Sequence, residues 1–135
     1  MNLLISIVGM AAWLVLLPGC ASGPASEVTN PFAGLFQGSK AAQALSAGIK
    51  QFEEGEYADA TKSLQSAIDL GLAGDPERVK AHKYLAFIHC VSGRLRPCRD
   101  EFRKALEIDP AMELEPSEKG HPIWGPEFRG AKARK

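Results

Sequence analysis

The sequence predicts an all-α fold of short helical hairpins, and three observations carry that prediction. From Ser39 onward, apolar residues recur at spacings of three and four, the stripe of an amphipathic helix. Glycines at 55, 71 and 93 break those stripes, as helix-terminating residues do. One block of the chain then recurs with the same internal spacing.

The first element, residues 1–19, stands apart from that fold. Leu3 to Leu17 is apolar and uncharged. As a helix it would span about 22 Å, short of the hydrocarbon core of about 30 Å. That length fits the apolar region of a secretory signal better than an uncleaved membrane-spanning anchor. The run closes in Leu17-Pro18-Gly19-Cys20, which resembles the lipobox of bacterial lipoproteins. The resemblance implies cleavage before Cys20 and acylation of its thiol, so that lipid holds the chain to a membrane. Residue 21 is Ala rather than Asp. By analogy with that family, this favours the outer membrane, with the body facing the periplasm. One departure is the short n-region: Met1-Asn2 carries no Lys or Arg.

Residues 20–38 read as the lipidated cysteine and a flexible tether, rich in Gly, Ser, Pro and Ala. Phe32, Leu35 and Phe36 interrupt that composition. They either pack onto the domain that follows or form a docking patch.

Residues 39–110 carry four stripes. Ala41, Ala44, Leu45, Gly48, Ile49 and Phe52 form the first. Tyr57, Ala60, Leu64, Ala67 and Ile68 form the second. Ala81, Tyr84, Leu85, Phe87 and Ile88 make the third, and Leu95, Cys98, Phe102, Ala105, Leu106 and Ile108 the fourth, before Asp109-Pro110. Gly55, Tyr57, Ala60, Leu64 and Ala67 align with Gly93, Leu95, Cys98, Phe102 and Ala105, an offset of 93 − 55 = 38 residues. The two blocks resemble the tetratricopeptide repeat, whose period is about 34 residues, with the extra residues between Gly71 and Pro76. Gly48 in the first copy and Leu85, Ala86 and Pro110 in the second also occupy family positions. The resemblance implies a short solenoid in which small residues let paired helices approach and large ones fill the space between units.

Residues 111–135 read as an extended segment and a capping helix. Pro122 and Pro126 forbid one continuous helix, and Pro126 suits the start of a short last one. Trp124 and Phe128 are the natural plugs for the exposed end of the last hairpin. A stacked repeat needs about three units to bury its faces, and two hairpins plus a cap approach that minimum.

The chemistry is sparse. The chain has 135 residues, 45% hydrophobic and 24% charged, with 16 basic and 16 acidic side chains. That composition suits one globular domain, and its balance gives no basic footprint for nucleic acid. No phosphate-cradling loop, nucleophile elbow or zincin motif occurs, so no catalytic residue is assigned and no cofactor is implied. Cys90 and Cys98 flank the Gly93 turn. In an oxidising compartment they suggest a disulfide, the alternative being two buried thiols. His82 and His89 beside those cysteines raise a metal site, but the spacing of zinc ligands is missing. Charge is uneven: Glu53, Glu54, Glu56 and Asp59 cluster at the first turn, while Arg94, Arg96, Arg99, Arg103 and Lys104 follow the second.

Two classes of function follow. The first is a lipid-anchored adaptor or assembly factor that binds another envelope protein. The closing segment Gly120 to Phe128, with the anchor and hairpins, resembles small tetratricopeptide lipoproteins associated with type VI secretion, and pilotin-like lipoproteins are neighbours of that class. The other is a periplasmic ligand- or metal-binding sensor. Partner identity and oligomeric state do not follow from the sequence.

Overall fold

The computed structural model describes residues 33–133, with side chains from Lys40 onward. The signal segment, Cys20 and the first part of the tether lie outside them. Within the described residues the chain is all-helical: α1 (Ala33–Glu53), α2 (Tyr57–Asp69), α3 (Asp75–Val91), α4 (Leu95–Ile108), α5 (Pro116–Lys119) and α6 (Trp124–Lys132). None of these helices is long and apolar enough to cross a membrane.

Helices α1 and α2 pair as one hairpin, α3 and α4 as a second; α2 contacts α3, and α6 packs on α4 and α3. The two hairpin turns are built alike. Glu56 N–H donates to Gln51 O at 2.8 Å and Gly55 N–H to Phe52 O at 3.0 Å; Arg94 to His89 and Gly93 to Cys90 repeat the pattern at 2.9 and 3.0 Å. Gly55 and Gly93 take φ of 82° and 73°, the left-handed region that this paired-bond helix ending requires and that a Cβ penalises. The repeat seen in the sequence is thus a repeat of backbone geometry.

Close approach within the first hairpin depends on Gly48. A Cβ there would stand 2.7 Å from Leu64 Cγ and 3.1 Å from its backbone nitrogen. The equivalent position in the second hairpin is Ala86, fully buried.

Two apolar clusters share α3. Ala41, Leu45, Ala60, Leu64, Ala67 and Leu72 meet Ala81, Leu85 and Ile88 of α3 on one side. Ala86, Phe87 and Cys90 of α3 meet Cys98, Phe102, Ala105, Leu106, Met112, Leu114, Phe128 and Ala131 on the other. Helix α3 is therefore buried on two faces, whereas α4 buries one stripe. Among the described residues no polar or charged residue is fully buried.

Several details differ from the sequence reading. Helix α1 is already in place at Ala33, the first described residue, inside the segment assigned to the tether and ahead of Ser39. No proline follows Pro31 until Pro76, so a helix once nucleated extends backward at the cost of one residue per bond. Tyr57 and Leu95, placed in the packing set, are 39% and 42% exposed. Each is the first residue of its helix, directly after the turn, where the chain has not yet entered the inter-helix seam. The tail is not simply extended, since Pro116 opens the one-turn α5. Helix α6 starts two residues ahead of Pro126. The first N–H groups of a helix have no internal partner, so proline is tolerated there.

Candidate functional site

The second hairpin is cross-linked. Cys90 near the end of α3 and Cys98 in the first turn of α4 form a disulfide with Cα atoms 5.1 Å apart. Both are essentially inaccessible, at 1% and 0% exposure. Bonded to each other, these sulfurs offer no thiolate to a metal. His82 Nδ1 is held 2.7 Å from Glu101 Oε2, away from the cysteines' chemistry. Among the described residues no group of three His, Cys, Asp or Glu side chains is arranged to hold a metal ion.

Burial alone pushes the Glu101 carboxyl up, but the His82 hydrogen bond and Lys104, 2.7 Å away, outweigh it and hold it below the usual carboxylate range. His89 behaves oppositely to a paired histidine. Burial lowers its pKa below 6.5, Arg94 and Lys104 lower it further, and Glu101 opposes them. Its Nδ1 is buried without a hydrogen-bond partner. A folded-state pKa below the unfolded value means the unfolded chain binds more protons in that window, so stability rises with pH. The contribution of His89 is complete above about pH 6.5 and is lost as pH falls toward its folded value; that of Glu101 disappears only below the carboxylate range. Urea unfolding will therefore show a stability loss between pH 7.5 and 5.5 that His89→Leu reduces. Identical pH slopes in the two proteins would refute this assignment.

The feature with the character of a recognition surface is a run of aromatic rings drawn from four helices and a turn. Phe52 of α1 stands at 5.7 Å from Tyr57, 5.2 Å from Tyr84, 6.1 Å from Phe87 and 6.5 Å from Trp124, centroid to centroid. Phe87 stacks on Trp124 at 4.4 Å, and His121 lies parallel to the other partner of that stack, the Trp124 ring, at 3.2 Å. Phe87 is buried, while Phe52, Tyr84 and Trp124 are half-buried. Tyr57 and Ile123 extend the surface with 39% and 41% exposure. Amphipathic rings with one open edge are what recurrent protein contact surfaces use.

The tail is held in register with this surface by Glu118. One of its carboxylate oxygens accepts from Glu115 N–H at 2.9 Å, at the start of α5, and the other pairs with Lys83 Nζ at 2.7 Å. The Lys83–Glu118 pair is only 14% and 16% exposed, and the ammonium lies 5.4 Å from the Tyr84 ring and 5.6 Å from that of Phe87. Trp124 Nε1 donates to Glu118 O at 3.0 Å. Burial raises the Tyr84 phenol pKa, and the nearby Glu118 and Glu53 carboxylates raise it further, so it stays a neutral hydroxyl.

The structure brings Trp124 and Phe128 against the second hairpin from opposite ends of one helical turn. Phe128 is 4% exposed and meets Phe102 at 5.2 Å, whereas Trp124 reaches past it to the aromatic run. Pro126 is exposed between them. Phe52, Tyr84, Lys83, Glu118 and His121 were not among the site residues read from the sequence. Phe52 carried a signal: it occupies the position that Cys90 occupies in the second copy, a large ring where the repeat has a small side chain. The acidic first turn is largely solvated, with Asp59 2.8 Å from Lys62 and Glu54 3.6 Å from Lys50. No protein-family model matches the chain, and neither do curated proteins or solved structures.

Proposed function

We propose that this chain is a short tetratricopeptide-like solenoid, two hairpins and a capping helix, that serves as a lipid-anchored periplasmic adaptor at the outer membrane. It docks another envelope protein on the aromatic surface shared by α1, α3 and α6. The observation that carries this reading is the half-open ring cluster of Phe52, Tyr84 and Trp124, with Tyr57 and Ile123 exposed beside it. Partly exposed aromatic anchors in contact with one another are enriched at binding hot spots. The matched turns at Gly55 and Gly93 support the repeat assignment. The buried Cys90–Cys98 bond supports an oxidising compartment. The resemblance of residues 120–128 to type VI secretion lipoproteins suggests where a partner would first be sought.

One experiment tests both halves of the reading. A photo-crosslinking residue is placed at Tyr57, or at exposed Glu107 on α4, in the native chain and in Cys20→Ala. The Tyr57 probe will yield a discrete envelope adduct and the Glu107 probe none. Cys20→Ala will leave the membrane fraction and retain its signal segment. Equal adducts from both positions would overturn the docking surface, and unchanged membrane retention would overturn the anchor.

A further inference from the structure

We propose that the groove between α4 and α6 binds a phosphate group, a site separate from the aromatic surface and independent of the adaptor reading. The groove encloses about 420 Å³ and is lined by Arg96, Arg99, Asp100 and Arg103 of α4 and by Gly130 and Ala131 of α6. The three arginines are spaced three and four apart, so they share one face of α4 and direct their guanidinium groups to one concavity.

The charges already present leave donors to spare. Arg99 Nε is engaged by Glu127 Oε2 at 2.9 Å, a contact that does not use its terminal amino groups. Asp100, the one carboxylate in the lining, is neutralised by Arg103 within the same helix. Arg96 lies one residue into α4 and adds its charge at the mouth. Helix α4 also begins with no acidic residue in its first turn, so the positive end of its dipole adds to Arg96 at the mouth. Helices α2 and α3 carry Asp59 and Asp75 with Glu77 in that position, whereas α1, like α4, has no acidic residue there.

Phosphate is the ligand chemistry this arrangement selects. Each guanidinium presents a rigid fork of donors, and a phosphate with several acceptor oxygens can satisfy more than one fork at a time. A carboxylate can also bridge two guanidinium groups, but its two oxygens lie in one plane, whereas phosphate oxygens are tetrahedrally disposed toward side chains three and four residues apart. The opposite wall is made of the two smallest side chains in the chain, so it gives an acyl or aromatic side chain little to pack against. Gly130 keeps the groove open: a Cβ built there meets nothing within 4 Å. The phosphate can come from solution or from a phosphoglycerol lipid headgroup, and the experiment separates these sources.

The full chain, oxidised and in non-ionic detergent micelles, is titrated at constant ionic strength while arginine side-chain N–H resonances are followed by NMR. The probes are inorganic phosphate and the short-chain lipid dihexanoyl phosphatidylglycerol. Saturable shifts with inorganic phosphate will support a free-phosphate site, and saturation by the lipid alone a headgroup site. In either case Arg103→Ala and Gly130→Glu will weaken the affinity at least ten-fold. Gly130→Glu places a carboxylate into open space on a helix, where glycine itself is the poorer helix former, so its melting curve will match that of the parent. Arg103→Ala, at a half-exposed surface position, keeps the test open should the glutamate variant misfold. Absence of saturation with both probes, or equal affinity in the parent and both variants, would overturn the proposal.

Discussion

Phe102→Ala will lower the unfolding free energy by about 3–5 kcal/mol, the range for truncating a fully buried phenylalanine. Phe102 is 0% exposed and joins three helices: its ring meets Phe87 of α3 at 5.9 Å and Phe128 of α6 at 5.2 Å, both edge-on. Truncation therefore opens the seam of the second hairpin and removes the contact that seats the cap. A domain of this size has about 5–15 kcal/mol in total, so the variant will be close to unfolded at physiological temperature. Urea denaturation checks it through the midpoint. Leu64, the equivalent residue 38 positions earlier, is also fully buried but lies in the cluster away from α6. A loss under about 1 kcal/mol for Phe102→Ala would mean that α4 and α6 are not packed through this ring.

The pairing of Leu64 with Phe102 shows what was legible in the sequence. The repeat could be read because its determinants are local: a left-handed glycine after each first helix and small residues at Ala60 and Cys98, Ala67 and Ala105, where paired helices touch. Those constraints act within a hairpin and leave a mark at fixed spacing. What could not be read arises between hairpins. Helix α3 reads in sequence as one stripe, Ala81, Tyr84, Leu85, Phe87 and Ile88, yet its residues divide: Ala81, Leu85 and Ile88 face one cluster, while Phe87, with Ala86 and Cys90, faces a second. A helix between two neighbours loses its polar face and with it the periodic signal. The aromatic surface was hidden for the same reason. Phe52 and Tyr84 satisfy the stripe of their own helices, and only the return of the tail brings Trp124 beside them. Glu118, which pins that return through Lys83, is 35 residues distant in sequence, and its local role as the N3 residue of the α5 capping box gives no sign of that partner.

Loss of the Cys90–Cys98 disulfide will remove about 2.6 kcal/mol, the chain-entropy value for closing a loop of about nine residues. At about 4–8 °C per kcal/mol for a small domain, the reduced chain will melt about 10–20 °C lower than the oxidised one. The cost falls on the half of the molecule that seats the cap. In the first hairpin the positions of the two sulfurs are held by Phe52 and Ala60, and the ring at 52 spreads over Tyr57, Tyr84, Phe87 and Trp124. The second hairpin has the cross-link at those positions, and the rings that meet the cap, Phe87 and Phe102, come from elsewhere in α3 and α4. Cys90→Ala/Cys98→Ala will destabilise at least as much as reduction, because two buried sulfur atoms are lost along with the cross-link. Since both sulfurs are inaccessible in the folded chain, dithiothreitol must wait for the hairpin to open. Thiol trapping followed by mass spectrometry will show reduction accelerating in urea well before the cooperative transition if the second hairpin opens by itself, and only with the transition if both hairpins unfold as one. Oxidised and reduced chains with coincident melting curves would show that helix packing alone sets the second hairpin, and that the bond between residues 90 and 98 adds nothing to it.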